Sequence, residues 1–105
     1  MRLLFTSTPG VGHLLPLLPL AREAAARGHE VRVAVGADLG PVVVAAGIRH
    51  EPVGPATLGE VVAGIPDLAG RTGRRRAVVI FREGFCGTIA SGMTADLLAL
   101  ADEWR

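Results

Sequence analysis

The first 35 residues constrain the fold of this chain more than any other stretch. Arg2 to Thr6 is a short apolar run, Leu3-Leu4-Phe5, which gives way at once to Ser7-Thr8-Pro9-Gly10-Val11-Gly12. Such a run reads as a buried strand entering a glycine-rich turn. Beyond the turn, Leu14, Leu17, Leu18, Ala21, Ala24 and Ala25 recur at helical spacing as far as Arg27. Pro16 and Pro19 fall near the start of that helix, where a missing N–H costs least. Gly28 then supplies a left-handed stop, and Val31-Arg32-Val33-Ala34-Val35 forms a second strand. A helix between two short strands brings the second back parallel to the first.

A shorter helix over about residues 39–46, stopped by Gly47, and a third strand over 48–53 extend the pattern. Residues 1–53 therefore read as a β-α-β-α-β unit. The expected fold class is α/β, a Rossmann-like parallel sheet with flanking helices. Residues 54–73, rich in Gly and Pro with isolated apolar positions, read as a long loop holding one helical turn. Residues 74–105 read as helices. Thr72 is placed to cap the first of these, over about 73–83. Phe85, Ile89, Met93, Leu97, Leu100 and Trp104 then make the apolar stripe of a second. No strand follows that stripe, so an incomplete domain is expected. Its first strand has an open edge, available to a second copy or a partner chain.

Half of the 105 residues are apolar and 20% are charged, which excludes a disordered, highly charged chain. A net charge of +1 provides no global field for nucleic acid or an anionic membrane. Arg71, Arg74, Arg75 and Arg76 lack interleaved aromatics and read as a solvated helix start. A secretory leader is not expected. Thr6 to His13 interrupts the apolar region, and Arg22, Glu23 and Arg27 follow it. Nor does any apolar run approach the ~20 residues that span a bilayer. The single cysteine, Cys86, cannot form an internal disulfide, so a cytoplasmic location is expected, with Cys86 as a small buried side chain. His13, His29, His50 and Cys86 lack metal-ligand spacing, so no metal is expected. His29 reads as part of the turn after Gly28, and His50 as a surface strand residue.

Chemistry concentrates in Thr6-Ser7-Thr8-Pro9-Gly10-Val11-Gly12-His13-Leu14-Leu15-Pro16. A strand-to-helix turn at the carboxyl end of a parallel strand is where such folds bind ligands. The helix N-terminus offers N–H groups there, and a neutral imidazole at His13 could accept a proton. A dinucleotide fingerprint fails, because the third glycine position is Leu15 and the end of strand two carries Val35-Gly36 in place of an acid. A phosphate-binding P-loop fails for want of G-K-[ST]. The residues alone leave open a tight turn in which His13 merely caps a helix.

Gly10-Val11-Gly12-His13-Leu14-Leu15-Pro16, then Leu20-Ala21, then Ala26-Arg27-Gly28-His29-Glu30-Val31, resemble the opening of GT-B glycosyltransferases. The likeness is to the nucleotide-sugar-dependent enzymes that decorate macrolides, enediynes and other natural products. Residues 41–52 and 96–105 continue it, whereas 55–80 match loosely. The resemblance implies that residues 1–105 are part of an N-terminal acceptor-binding domain. It assigns His13 as the general base that deprotonates the acceptor hydroxyl, with Gly10, Gly12 and Pro16 shaping the acceptor loop. The implied reaction moves a hexose, with inversion, from a nucleoside-diphosphate sugar to a small apolar natural product. That donor is a substrate, held by a C-terminal domain absent from this sequence, and no resident cofactor is implied.

The carboxylate that orients the histidine in such enzymes belongs to a strand beyond Trp104-Arg105, and Asp102 and Glu103 do not match it. Without that carboxylate and a leaving-group site, almost no turnover is expected of these residues alone. Two other classes fit the same residues. One is a non-catalytic helper or binding module working with a partner chain, and the other a Rossmann-type nucleotide-binding protein.

Overall fold

The structure, a computed structural model, describes residues 1–104. Arg105, the end of the C-terminal stretch named above, lies outside the described residues. Three parallel strands, β1 (Arg2–Thr6), β2 (Glu30–Val35) and β3 (Arg49–Pro52), form a sheet in the order β1-β2-β3. Leu3 lies opposite Val31, Phe5 opposite Val33, and Val35 opposite Pro52. Six α-helical segments accompany the sheet among the described residues. They are α1 (Val11–Leu14), α2 (Leu17–Ala26), α3 (Gly40–Ala45), α4 (Leu58–Ala63), α5 (Gly73–Val79) and α6 (Ala90–Glu103).

Side chains alternate across a strand, and the sheet is covered on both faces. Val31, Val33 and Val35 pack on one side with Leu14, Leu18, Ala21, Val43 and Ile48. Ala34 packs on the other with Val53, Val61, Ile89 and Met93. The result is the helix–sheet–helix layering expected of an α/β fold. Full burial of a side chain such as Leu14 or Val33, each 0% exposed, stabilises the fold by about 1.5–3 kcal/mol. Gly28 and Gly47, at φ +85° and +77°, close their helices in the left-handed region.

The single helix expected across residues 14–27 is two segments, α1 and α2. Pro16 and Pro19 have no N–H for the carbonyls of Gly12 and Leu15, so the hydrogen-bond ladder breaks between them. Within the stretch read as a loop, α4 is more than a single turn. Thr57 begins it, its hydroxyl oxygen accepting the Glu60 N–H at 3.0 Å. Thr57-x-x-Glu60 is a helix-start signature that the neighbouring glycines obscure. Thr72 stands at the N-cap of α5 in extended conformation, but its side chain makes no capping bond.

The two helices expected after residue 73 are one. Segment α5 runs through a ten-residue π-helical stretch, Ile80–Ile89, into α6, giving a continuous 31-residue helix over Gly73–Glu103. Apolar residues every four positions drift around an α-helix of 3.6 residues per turn. The wider π turn offsets that drift, so Phe85, Ile89, Met93 and Leu97 stay on the face that packs on the sheet. Gly84 is buried at the crossing with α4, where an added Cβ would meet Val61 at 3.1 Å. The same turn leaves Cys86 exposed, contrary to the expectation of burial. By length and composition this helix is also apolar enough to cross a membrane, which the separate segments were not expected to be. Part of it instead covers the sheet.

A polar clamp holds the end of α6 to β2. Trp104 Nε1 donates to Glu30 Oε1 at 2.9 Å, and the Arg32 guanidinium lies 4.2 Å from the centre of the Trp104 ring. Arg32 in turn pairs with Glu51 at 2.9 Å, and Glu51 with Arg49 at 2.7 Å. Trp104 thus ends the apolar stripe with a cation–π contact and a charge-assisted hydrogen bond. Further along α6, Asp96 Oδ2 accepts the Gly54 N–H at 2.7 Å. His50 is half-buried, not a surface residue. Its Nε2 donates to the Val35 carbonyl at 3.0 Å and its ring packs against Gly40.

Candidate functional site

Because the strands are parallel, the segments that leave β1, β2 and β3 emerge at the same edge of the sheet. The first is the turn over residues 7–10 leading into α1, and the second a short 3₁₀ turn, Ala37–Leu39. The third passes Gly54 and Pro55 and closes over the second. A Cβ on Gly36 would come within 2.8 Å of the Ala56 carbonyl and 2.9 Å of the Pro55 carbonyl. This is the edge at which open α/β sheets bind ligands.

Of the four residues singled out in the sequence, Gly10 lies in the first turn, Gly12 and His13 in α1, and Pro16 just after it. Pro9 is fully buried, and Gly10 follows at φ +125° and ψ +120°, a conformation that a side chain strains. Gly10 O accepts the His13 N–H at 3.1 Å, closing the turn. His13 therefore sits inside a one-turn helix, not at the mouth of a long one, and its own N–H is already engaged. Its side chain is exposed, and a Cβ on Gly10 would meet the ring edge at 3.3 Å. Gly12 lies within α1 with nothing within 4 Å of an added Cβ and no positive φ, so its place in the turn does not itself require glycine. Pro16 is exposed between α1 and α2 at φ −67°.

Leu14, next to His13, is completely buried against β2. Successive helical residues point about 100° apart, so anchoring Leu14 inward turns His13 outward. No side-chain hydrogen bond joins the His13 ring to another described residue. Trp104, at the end of α6, bonds Glu30 at the amino end of β2, so Asp102 and Glu103 belong to the opposite edge of the sheet. Among the described residues no group of His, Cys, Asp and Glu could hold a metal ion. An open groove of about 560 Å³ along the outer side of α2 is lined by Leu15, Leu18, Pro19 and Ala46, and not by His13.

Sheet order, helical layers and the turn after β1 make this a Rossmann-like unit, the architecture of the GT-B glycosyltransferases with which it superimposes. No family model matches the chain. The 4'-demethylrebeccamycin synthase of Lentzea aerocolonigenes is 40% identical over 98% of the chain. The L-demethylnoviosyl transferase of Streptomyces niveus is 43% identical over 73% of it. The solved glycosyltransferase SsfS6 of Streptomyces sp. SF2575 superimposes over 99% of the chain with a TM-score of 0.77 at 33% identity. SnogD of Streptomyces nogalater does so over 100% with a TM-score of 0.69 at 33% identity. The chain is a homologue of one part of the natural-product glycosyltransferases. It spans about a quarter of the length of these curated relatives, 25% and 22%, and 31% and 25% of the two solved chains.

Proposed function

We propose that these residues form the acceptor side of an inverting glycosyltransferase and that His13 is its general base. The observation that carries the reading is the exposed imidazole held by a glycine turn at the carboxyl edge of β1, inside a stretch homologous to sugar-transferring enzymes. In this reaction the neutral ring removes the proton from an acceptor hydroxyl as the oxygen attacks the anomeric carbon. A new carbon–oxygen bond forms on one face of the sugar while the bond to the nucleoside diphosphate breaks on the other. General base catalysis of this kind contributes about 10²–10⁴-fold. The acceptor we assign is a small, fairly apolar natural product and the donor a nucleoside-diphosphate hexose.

His13 has a fixed position here but no orienting carboxylate among the described residues, and imidazole bases lose much of their power when unoriented. We therefore assign almost no turnover to these 105 residues alone, which span about a quarter of the length of the curated enzymes they resemble. In a full-length enzyme bearing this stretch, His13→Ala is expected to lower kcat by about 100-fold or more. Unchanged turnover in a folded variant rejects the assignment.

A second reading rests on β1, which pairs only with β2 among the described strands. An unpaired edge is a template for another strand, and we propose that the 105-residue chain self-associates through it. Sedimentation showing a stable monomer refutes this.

A further inference from the structure

Five of the eleven arginines fall within twelve residues of the chain, Arg71, Arg74, Arg75, Arg76 and Arg82. Only one of them is used to build the fold. Arg76 Nη1 donates to the Leu68 carbonyl at 2.9 Å, and the Arg71 N–H donates to the same carbonyl at 3.1 Å. Ile65 and Leu68 pack with Val79 in a small core of their own, which fastens the preceding loop to α5. Arg71, at the end of that loop, and Arg74 and Arg75, on α5, line one open groove of about 460 Å³. Val78 and Val79 supply apolar lining, and Arg82 stands at the far end, paired at the surface with Glu83 at 2.7 Å. Among the described residues no carboxylate pairs with Arg71, Arg74 or Arg75, and no acidic residue lines the groove.

Like charges brought to one concavity repel one another, and nothing in the packing of the loop requires the charge at these positions. Guanidinium groups match carboxylate and phosphate oxygens in planar pairs, and the valines offer an apolar surface beside them. We propose that this groove is a binding site for a small oxyanion carried on an apolar body, such as an aryl phosphate or aryl carboxylate. Arg71, Arg74 and Arg75 hold the anion in this site and Val78 contacts the apolar part. It lies on residues distinct from the His13 turn and stands whether or not the transfer reading holds.

The test is calorimetric titration of the full chain with phenyl phosphate, alongside inorganic phosphate, benzyl alcohol and vesicles of anionic phospholipid. Phenyl phosphate should bind saturably with one site per chain, at least ~10-fold more tightly than inorganic phosphate, and more weakly as salt rises. Benzyl alcohol should not bind measurably. Arg74→Glu/Arg75→Glu should weaken phenyl phosphate at least ~10-fold without changing the far-ultraviolet spectrum, both residues being exposed. Arg22→Glu, on α2, should leave it unchanged. Binding that survives the double charge reversal, equal affinity for inorganic phosphate, or binding to vesicles alone would each overturn the proposal.

Discussion

Gly10 and Gly12 stand two residues apart in one turn, yet the structure predicts opposite responses to the same added methyl group. At φ +125° and ψ +120°, Gly10 is in backbone territory that L-residues avoid. Holding alanine there costs on the order of 1–3 kcal/mol. The new Cβ would also meet the His13 ring edge at 3.3 Å, a contact that the exposed ring can relieve by turning. Gly12, within α1 and open on its outer side, should gain from the same change, by roughly 0.4–1 kcal/mol, because alanine loses less backbone freedom on folding. One kcal/mol moves the midpoint of a domain of this size by about 4–8 °C. Gly10→Ala should therefore lower Tm by roughly 4–24 °C and Gly12→Ala should raise it by a few degrees. Urea titration with unchanged slope would show that stability has changed without a change in the surface exposed on unfolding. Equal losses in the two variants would refute the reasoning, because glycine would then be needed at Gly12 for a cause other than its conformation.

Thr57→Ala removes the oxygen that accepts the Glu60 N–H and should cost about 1 kcal/mol, read as a lower urea midpoint, while Thr57→Ser should retain most of it. Leu14→Ala, at a completely buried site, should cost about 2–5 kcal/mol in the same assay. The hydrogen bond from Trp104 holds the Glu30 carboxyl below its ordinary 4.5, against the opposing effect of desolvation and with help from Arg2 and Arg32. A depressed pKa means that the clamp's contribution is present above the unfolded value and is lost as pH falls through the folded one. Fluorescence of Trp104, the only tryptophan, should thus report a step below pH 4.5 that Glu30→Gln removes.

Local rules made the first half of the chain legible. Alternating valines with a helix between them leave little choice but a parallel pair, and Gly28 and Gly47 mark the helix ends because only left-handed backbone fits there. What the sequence concealed was decided at a distance. Gly84 and Gly87 argue against a helix interior by propensity, yet Gly84 is where α4 crosses the long helix, and a Cβ there would crowd the Val61 side chain at 3.1 Å. Cys86 lies in the π stretch that keeps Ile89 on the sheet and is exposed, so the usual burial of a small apolar side chain misplaced it. Arg32 and Glu51 pair across strands 19 residues apart, and Trp104 reaches Glu30 from 74 residues away. No window of sequence contains either contact.

The candidate site divides along the same line. His13 was legible as a position because its placement is a by-product of core packing. Leu14 must enter the apolar layer beneath β2, and the turn at Gly10 sets where that helix begins. Substituting His13 itself should leave stability within about 0.5 kcal/mol, since an exposed side chain without partners contributes little. Substituting Leu14 should lose both the fold energy and the presentation of the imidazole. A site built this way separates location from orientation. Location belongs to the β-α unit, whereas orientation needs a hydrogen-bond partner for the ring, and the turn that places His13 engages only its backbone N–H. If His13 is the base, stability and turnover should respond to different residues: core substitutions near Leu14 move both, and His13 substitutions move turnover alone.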